Sequence, residues 1–473
     1  MARVMLVQPW SYHDENVTGQ DLGEQWRNGP YSLVLLGTIL RREGHEVRIV
    51  DMIRDVVVLN GSVDGCLHQF GLALSEFRPD VVGFGFFSIH YAEVIRAVDY
   101  ARAECRRIGI APIFIAGGIH ASTEPALTLR DMHFDHAFIG EADVSLARFV
   151  STASPDGIPG IVSNPADPVN PGEAISRLDD LPFPDWSLVD YRFYAQPSRG
   201  KLKTRKTRSL DLMMGRGCVY KCTFCAYPTL SSVRFYSAEY LVEQVQYMHR
   251  EFGIDSVYFT DSTIGNNRRL ITAFSEGMIR SGLARHVEWH ANIRPNQVNE
   301  EILTLMWAAG CRFLFYGFES GSQRVLDLMA KGCKVGDNDK AARLHERLGF
   351  PYHASMLLGF PGEREEDIQE TLAFMRRYTP PSMGVNWYVP LPGSPDYDTL
   401  KAQGALDVGD PKLWRTIGEV NSARVYAEVP EARFRELFSE AERIANVDAP
   451  ARARALWGCL APPHSALDLP AAS

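Results

Sequence analysis

The sequence predicts an α/β protein in two main parts: a doubly wound parallel sheet over residues 1–150 and a partial barrel of six βα units over 209–400. A Pro-rich linker (151–208) joins them, and a helical extension (401–473) follows. Three observations carry this reading. Short apolar runs alternate with stretches of helical spacing in both parts, as parallel strands joined by crossover helices require. Residues 151–200 lose that rhythm, interrupted by Pro155, Pro159, Pro165, Pro168, Pro171, Pro182, Pro184 and Pro197. And 473 residues exceed what one ordinary core accommodates.

In the first part Arg3–Val7 reads as a strand. Tyr31–Arg42 reads as a helix with Leu33, Leu36, Ile39 and Leu40 on one face and Gly44 placed to end it. Val47–Val50 is the next strand, closing on Asp51. A helix near Val63–Phe77, a strand Val81–Phe87, a helix Tyr91–Arg107, a strand Pro112–Ala116 and a last strand near His136–Ile139 follow. Doubly wound sheets take ligands at the carboxyl ends of their strands, and here those ends read QPW, GFFSIH, AGGIHAS and IGEAD. Their small residues allow close backbone approach.

The linker is expected to run over the surface, and KLKTRKTR (201–208) to be a solvated lead-in. Strands are then expected at Leu210–Met214, Ser256–Thr260, Val287–Ala291, Phe313–Gly317, Tyr352–Leu358 and Val385–Val389. Helices Ala238–Glu251, Leu270–Arg280, Glu300–Ala309 and Glu365–Arg377 lie between them. The chemistry of such a barrel sits at its strand carboxyl ends. Near the end of the chain Phe434, Leu437, Phe438, Ala441 and Ile444 form a helical stripe, a packing face expected to cover the barrel or the substrate cleft. The last residues, APPHSALDLPAAS, are expected to be disordered.

A net charge of −9 gives no overall basic footprint, so nucleic acid is not an expected partner. The longest apolar run, about VVGFGFFSI (81–89), is far below the roughly 18–20 residues of a membrane span. The start, MARVMLVQPW, lacks the regions of a secretory signal, and a cytoplasmic location is expected. In that compartment clustered cysteines mean metal or redox chemistry more often than disulfides.

The stretch GRGCVYKCTFCAYP (215–228) holds three of the 8 cysteines and directly follows the first barrel strand. The spacing Cys218-x3-Cys222-x2-Cys225 lets one short loop present three thiolates. Tetrahedral zinc usually wants a fourth Cys or His nearby, and none follows closely. Three thiolates on a cubane iron–sulfur cluster leave one iron open to another ligand.

These residues resemble the signature of the radical S-adenosylmethionine (SAM) enzymes, CxxxCxxC with an aromatic, here Phe224, before the last cysteine. The resemblance implies that Cys218, Cys222 and Cys225 hold a [4Fe-4S] cluster whose open iron chelates SAM. YFTDST (258–263) resembles the second-strand motif and puts Asp261 near the ribose or amino group. Arg294, in NIRPN, is similar to the basic residue that approaches the methionine carboxylate. FYGFESGS (315–322) resembles the ribose motif, with Glu319 and Ser320 near the nucleoside. MLLGFPGE (356–363), with Gly359, is similar to the segment whose backbone meets adenine, and YVPLPGSPDY (388–397) to the closing strand and turn.

The first part resembles the cobalamin-binding domain that one large subgroup of that family carries ahead of its barrel. Here GFFSIH and AGGIHAS look like its serine and double-glycine loops, IGEAD and LDDLPFPDW (178–186) are also familiar there, and Ser88, Gly117, Gly118 and Gly140 are the implied cobalamin contacts. The stretch QPWSYHDENVTG lacks the DxHxxG motif that supplies a cobalt-ligating histidine elsewhere; His13 is at the wrong spacing. Of the other cysteines, Cys66, Cys105, Cys311 and Cys459 are expected to be inert and Cys333 to be more exposed, without a role. The related methylthiotransferases carry three further N-terminal cysteines, and only two are present here.

The resemblance implies methylation of an unactivated carbon of a small biosynthetic intermediate, through a 5′-deoxyadenosyl radical and methylcobalamin. A flavodoxin or ferredoxin would be the electron donor. The alternatives are a radical cyclisation, rearrangement or oxidation, and a sensor that uses the cluster and cobalamin without catalysis.

Overall fold

The structure is a computed structural model that describes residues 1–11, 28–196, 207–226, 231–378, 380–406, 408, 413–414 and 424–448. His13, most of KLKTRKTR and the C-terminal tail with Cys459 lie outside the described residues. The chain divides into two compact units.

The first unit comprises Met1–Tyr194 with Phe224–Arg234 and Pro390–Glu419. Its sheet contains β1 (Arg3–Gln8), β2 (Glu46–Asp51), β3 (Val81–Gly85), β4 (Ile113–Gly117), β5 (His136–Phe138) and β6 (Ile161–Val162), in the order β2-β1-β3-β4-β5-β6. All neighbours are parallel except the β5/β6 pair. This is the doubly wound arrangement, with its reversal between β1 and β3. Val4, Leu6, Leu33, Leu40, Val81, Ile115, Phe138 and Phe149 form a continuous core between sheet and helices. Burying each such side chain contributes about 1.5–3 kcal/mol.

Two expectations need correction here. Strand β3 stops at Gly85, because Phe86 turns its N–H to Gly117 O and the chain enters the short helix Ser88–His90. The Pro-rich segment does more than run over the surface: Leu178 and Trp186 are fully buried. Trp186 packs so closely on Gly29 that a Cβ there would lie 2.6 Å from its ring. Tyr194 donates its hydroxyl to Asp51, 2.5 Å away, and burial raises the Asp51 carboxyl to about 6. The prolines break periodicity but leave the aromatics between them free to pack.

In the second unit β7 (Ser209–Leu212) leads to the cysteine loop, which is bracketed by two short strands, β8 (Gly215–Arg216) and β9 (Arg234–Phe235). Strands β10 (Ser256–Phe259), β11 (Glu288–Ile293), β12 (Cys311–Glu319), β13 (Tyr352–Leu358) and β14 (Ser382–Trp387) follow. With β7 they form one parallel sheet in the order β14-β13-β12-β11-β10-β7. Sequential order with unpaired ends is a barrel left open, six strands as expected. Helix Glu431–Arg443 buries Phe434, Leu437, Phe438 and Ala441, and Trp387 meets Phe434 and Phe438 edge-on or tilted at 4.7 and 5.1 Å. The stripe therefore covers the end of β14. Among the described residues no helix is long and apolar enough to cross a membrane.

Candidate functional site

The cysteine loop leaves β7 at the carboxyl end of the open barrel. Gly217 adopts φ +79°, which frees the chain to turn into the loop. Cys222 is buried, and Cys218, Phe224 and Cys225 are half-buried. Three tethers hold the loop. Asp261, at the end of β10, accepts the N–H groups of Met214 and Gly215 on its two carboxylate oxygens, both at 2.8 Å. Thr223 donates its N–H to Met329 O at 3.0 Å. Tyr220 accepts from Gln297 Nε2 at 3.0 Å, while Gln297 Oε1 accepts from Thr263 Oγ1 and from the N–H of Arg294. Gly265 is needed for this, since a Cβ there would sit 2.0 Å from Gln297 Oε1.

Arg294 reaches the loop directly. Its Nη1 donates to Cys222 Sγ at 3.4 Å, and its guanidinium lies over the Tyr220 ring, 3.6 Å from the centroid. Glu319 ends β12 with φ +61° and accepts from Lys331 Nζ at 2.7 Å; a non-glycine residue in that conformation is strained. The Ser320 hydroxyl is committed to Thr371 and to the N–H of Ser322, and it is fully buried. Gly359 has φ +89° and donates its N–H to Glu363, whose carboxyl burial raises to about 8.

Burial also raises the Asp261 carboxyl to about 7, against the two N–H donors that favour its charged form. Asp261→Ala would leave two buried N–H groups without a partner, each worth about 1–3 kcal/mol. Urea unfolding should show that loss, and the variant should no longer retain iron.

In the first unit the loops after β3, β4 and β5 are tied together by two serines. Ser88 Oγ meets His120 Nδ1 at 2.9 Å; Ser122 Oγ donates to Gly118 O and accepts from Gly140 N at 2.8 and 2.9 Å. Gly118 has φ +93°, and a Cβ there would lie 2.6 Å from Phe86 O. At Gly117 the situation is opposite: among the described residues a Cβ would meet nothing nearer than 3.9 Å. Phe87 stands 53% exposed in the loop after β3, so an open glycine and an exposed ring share the carboxyl end of the sheet.

The Radical SAM superfamily model matches residues 212–375, and the B12 binding domain model matches 28–150. The chain is a radical SAM enzyme with a B12 binding domain. It is 25% identical over 405 residues to an uncharacterized methyltransferase of Pyrococcus horikoshii, covering 83% of this chain and 82% of that one. It is 26% identical over 397 residues to the cytidylyl-2-hydroxyethylphosphonate methyltransferase of Streptomyces wedmorensis, covering 73% and 72%. In fold it is similar to the radical SAM methyltransferase TsrM of Kitasatospora setae, with a TM-score of 0.65 and 22% identity, covering 86% of this chain and 76% of that one.

The radical SAM domain implies a [4Fe-4S] cluster and SAM, and the B12 binding domain implies cobalamin. The donor set of the cysteine loop fits the cluster: three sulfurs at the spacing x3 and x2 on one tethered loop, one for each of three irons. Among the described residues no three His, Cys, Asp or Glu side chains converge as ligands of a single ion. Thiolates on separate irons of a cubane stand farther apart than that. The open backbone at Gly117 leaves room for a group such as a cobalamin tail to approach closely.

Sequence reasoning did not single out Tyr220, Gln297, Thr263, His120 or Ser122. Their roles come from hydrogen bonds across strands, which no local pattern announces. Cys333 needs outright correction: it is buried rather than exposed, and Arg294 Nη2 donates to its Sγ at 3.5 Å. The neighbouring KGCK lysine, Lys331, is itself buried on Glu319, so the charged flanks misled. Cys66, Cys105 and Cys311 are buried, and burial pushes all three thiols up, Cys105 to about 11.

Burial lowers His120 to about 3 and, in the second unit, His345 to about 4. His345 is held neutral, bonded to Phe350 O through Nδ1 and to Tyr316 O–H through Nε2. Both histidines charge more readily when unfolded, so the stability present above pH 6.5 is lost as pH falls towards those values. His120→Gln should remove about one proton from the pH dependence of unfolding, a slope of about 1.36 kcal/mol per pH unit. An unchanged slope between pH 6.5 and 4 would contradict the assignment.

Proposed function

We propose that this protein methylates an unactivated carbon of a small biosynthetic intermediate, using a [4Fe-4S] cluster, SAM and cobalamin. The single observation that supports it most is the pairing, in one chain, of a tethered three-cysteine loop at the end of β7 with an open glycine cradle at the ends of β3–β5. The methyltransferase relatives point the same way. When bound, the cluster with SAM supplies hydrogen-atom abstraction, and the corrin supplies a methyl group.

In this reading Cys218, Cys222 and Cys225 hold the cluster, and Phe224 packs beside it. Asp261 fixes the entry of the loop by holding Met214 and Gly215. Glu319, kept by Lys331 in its left-handed conformation, and the backbone at Gly359 offer acceptors and donors to the nucleoside. Ser320 supports that turn through Thr371 rather than offering its own hydroxyl. Gly117, Gly118 and Gly140 bring backbone close to the cobalamin tail, with Ser88 fixing His120. The reading includes a reducing cytoplasmic setting and a small electron-donor protein such as flavodoxin or ferredoxin.

The test is to incubate protein reconstituted anaerobically with SAM and a reductant, with and without cobalamin. The proposal expects 5′-deoxyadenosine that depends on the cluster and S-adenosylhomocysteine that depends on the corrin. Cluster-dependent 5′-deoxyadenosine with no corrin-dependent S-adenosylhomocysteine would overturn methyl transfer.

A further inference from the structure

We propose that Cys333 is a positioning residue for the cluster: it anchors Arg294 so that the guanidinium donates to the cluster ligand Cys222 and raises the cluster's reduction potential. This rests on the assignment of Cys222 as a cluster ligand.

The argument starts from an unusual buried cation. Arg294 is 6% exposed and Cys333 5%. Among the described residues no carboxylate accepts from this guanidinium; its side-chain acceptors there are two sulfurs, Cys222 Sγ on Nη1 and Cys333 Sγ on Nη2. Its Nε has no hydrogen-bond partner among the described residues. The face of Tyr220 completes the cage, an arrangement that attracts a cation electrostatically. A buried guanidinium without a counter-anion is costly, and it persists where the surroundings hold it for another purpose. Here the fork is rigid and planar, so fixing one Nη fixes the other. Cys333 is set by its own segment: Asn296 Nδ2 donates to Gly332 O at 3.1 Å, and Thr223 of the cysteine loop is bonded to Met329 O. The loop and the segment carrying Cys333 are therefore tied to each other, with Arg294 spanning the two sulfurs.

Hydrogen bonds onto cluster sulfurs stabilise the more negative, reduced state, and the groups that orient such donors tune the potential from outside the ligand set. Losing the Cys333 acceptor frees the Nη2 end of the fork and weakens the bond from Nη1 to Cys222.

The experiment is a reductive titration of the reconstituted cluster followed by electron paramagnetic resonance, in wild type, Cys333→Val, Cys333→Ser and Arg294→Lys. Cys333→Val keeps an apolar side chain, slightly larger than the thiol, and removes the acceptor. It should load the same iron as wild type and shift the midpoint downward by about a tenfold loss of reduced form, about 59 mV for one electron. Cys333→Ser retains an acceptor and should stay near wild type. In the Arg294→Lys background the Cys333→Val shift should vanish, because two residues acting through one bond are not additive. A fully loaded Cys333→Val with an unchanged midpoint overturns the proposal, and so does an equal shift in the Arg294→Lys background. If Cys333→Val fails to load, Cys333→Ala in both backgrounds decides by the same comparison. Wild type that retains no iron would instead remove the cluster assignment beneath it.

Discussion

Cys222→Ala abolishes 5′-deoxyadenosine formation and leaves a chain that retains no complete [4Fe-4S] cluster; this is the largest effect expected of any single substitution. Two thiolates cannot replace three on a cubane, and on the proposed assignment Cys222 is the buried ligand, the one to which Arg294 donates. The first unit should remain folded, because its core of Val4, Leu6, Phe138 and Phe149 belongs to a separate sheet. Iron analysis, product analysis and the circular dichroism of the variant check the three parts of this prediction. Wild-type product from the variant would remove Cys222 from the ligand set.

Gly118→Ala is expected to have the next largest effect. The residue has φ +93° and ψ −173°, a region essentially reserved for glycine. The backbone alone costs about 1–3 kcal/mol for an L side chain there. The added Cβ would also press on Phe86 O at 2.6 Å and Phe86 N at 2.8 Å, backbone atoms that cannot swing away. Thermal unfolding should fall measurably, and the corrin absorbance of reconstituted protein should be lost. Gly117→Ala separates structure from binding. Among the described residues its Cβ would meet nothing nearer than 3.9 Å, so stability should hold while corrin retention drops at least about tenfold, about 1.4 kcal/mol of binding. Full retention in Gly117→Ala would place the cobalamin tail elsewhere.

The alternating apolar pattern was enough to reveal both sheets, and the cysteine spacing to reveal the loop. What stayed hidden follows a physical logic. Helix Val335–Leu348 buries Asn338 and His345 among its apolar residues, so its inner face does not read as an apolar stripe. The short helix Asp143–Thr152 likewise buries Asp143 and Ser145. Strand β14 begins at Ser382 and contains Gly384, residues that read as a turn; there the glycine makes room for His353, whose ring a Cβ would approach to 3.2 Å.

At the site, the residues suggested by motif differ in what their hydrogen bonds do. Asp261 and Ser320 spend their side chains on the fold. Arg294 spends both Nη nitrogens on sulfur. Cys333 lay in a charged stretch and gave no signal, because its partner Arg294 is 39 residues away in sequence.

The most direct test of the account is the cofactor content of protein purified anaerobically and reconstituted with iron, sulfide and cobalamin. About four irons and about one corrin per chain are predicted, with corrin lost selectively in Gly117→Ala and iron in Cys222→Ala. About four irons with no corrin would contradict cobalamin-dependent methylation and leave a radical enzyme whose first sheet serves another purpose.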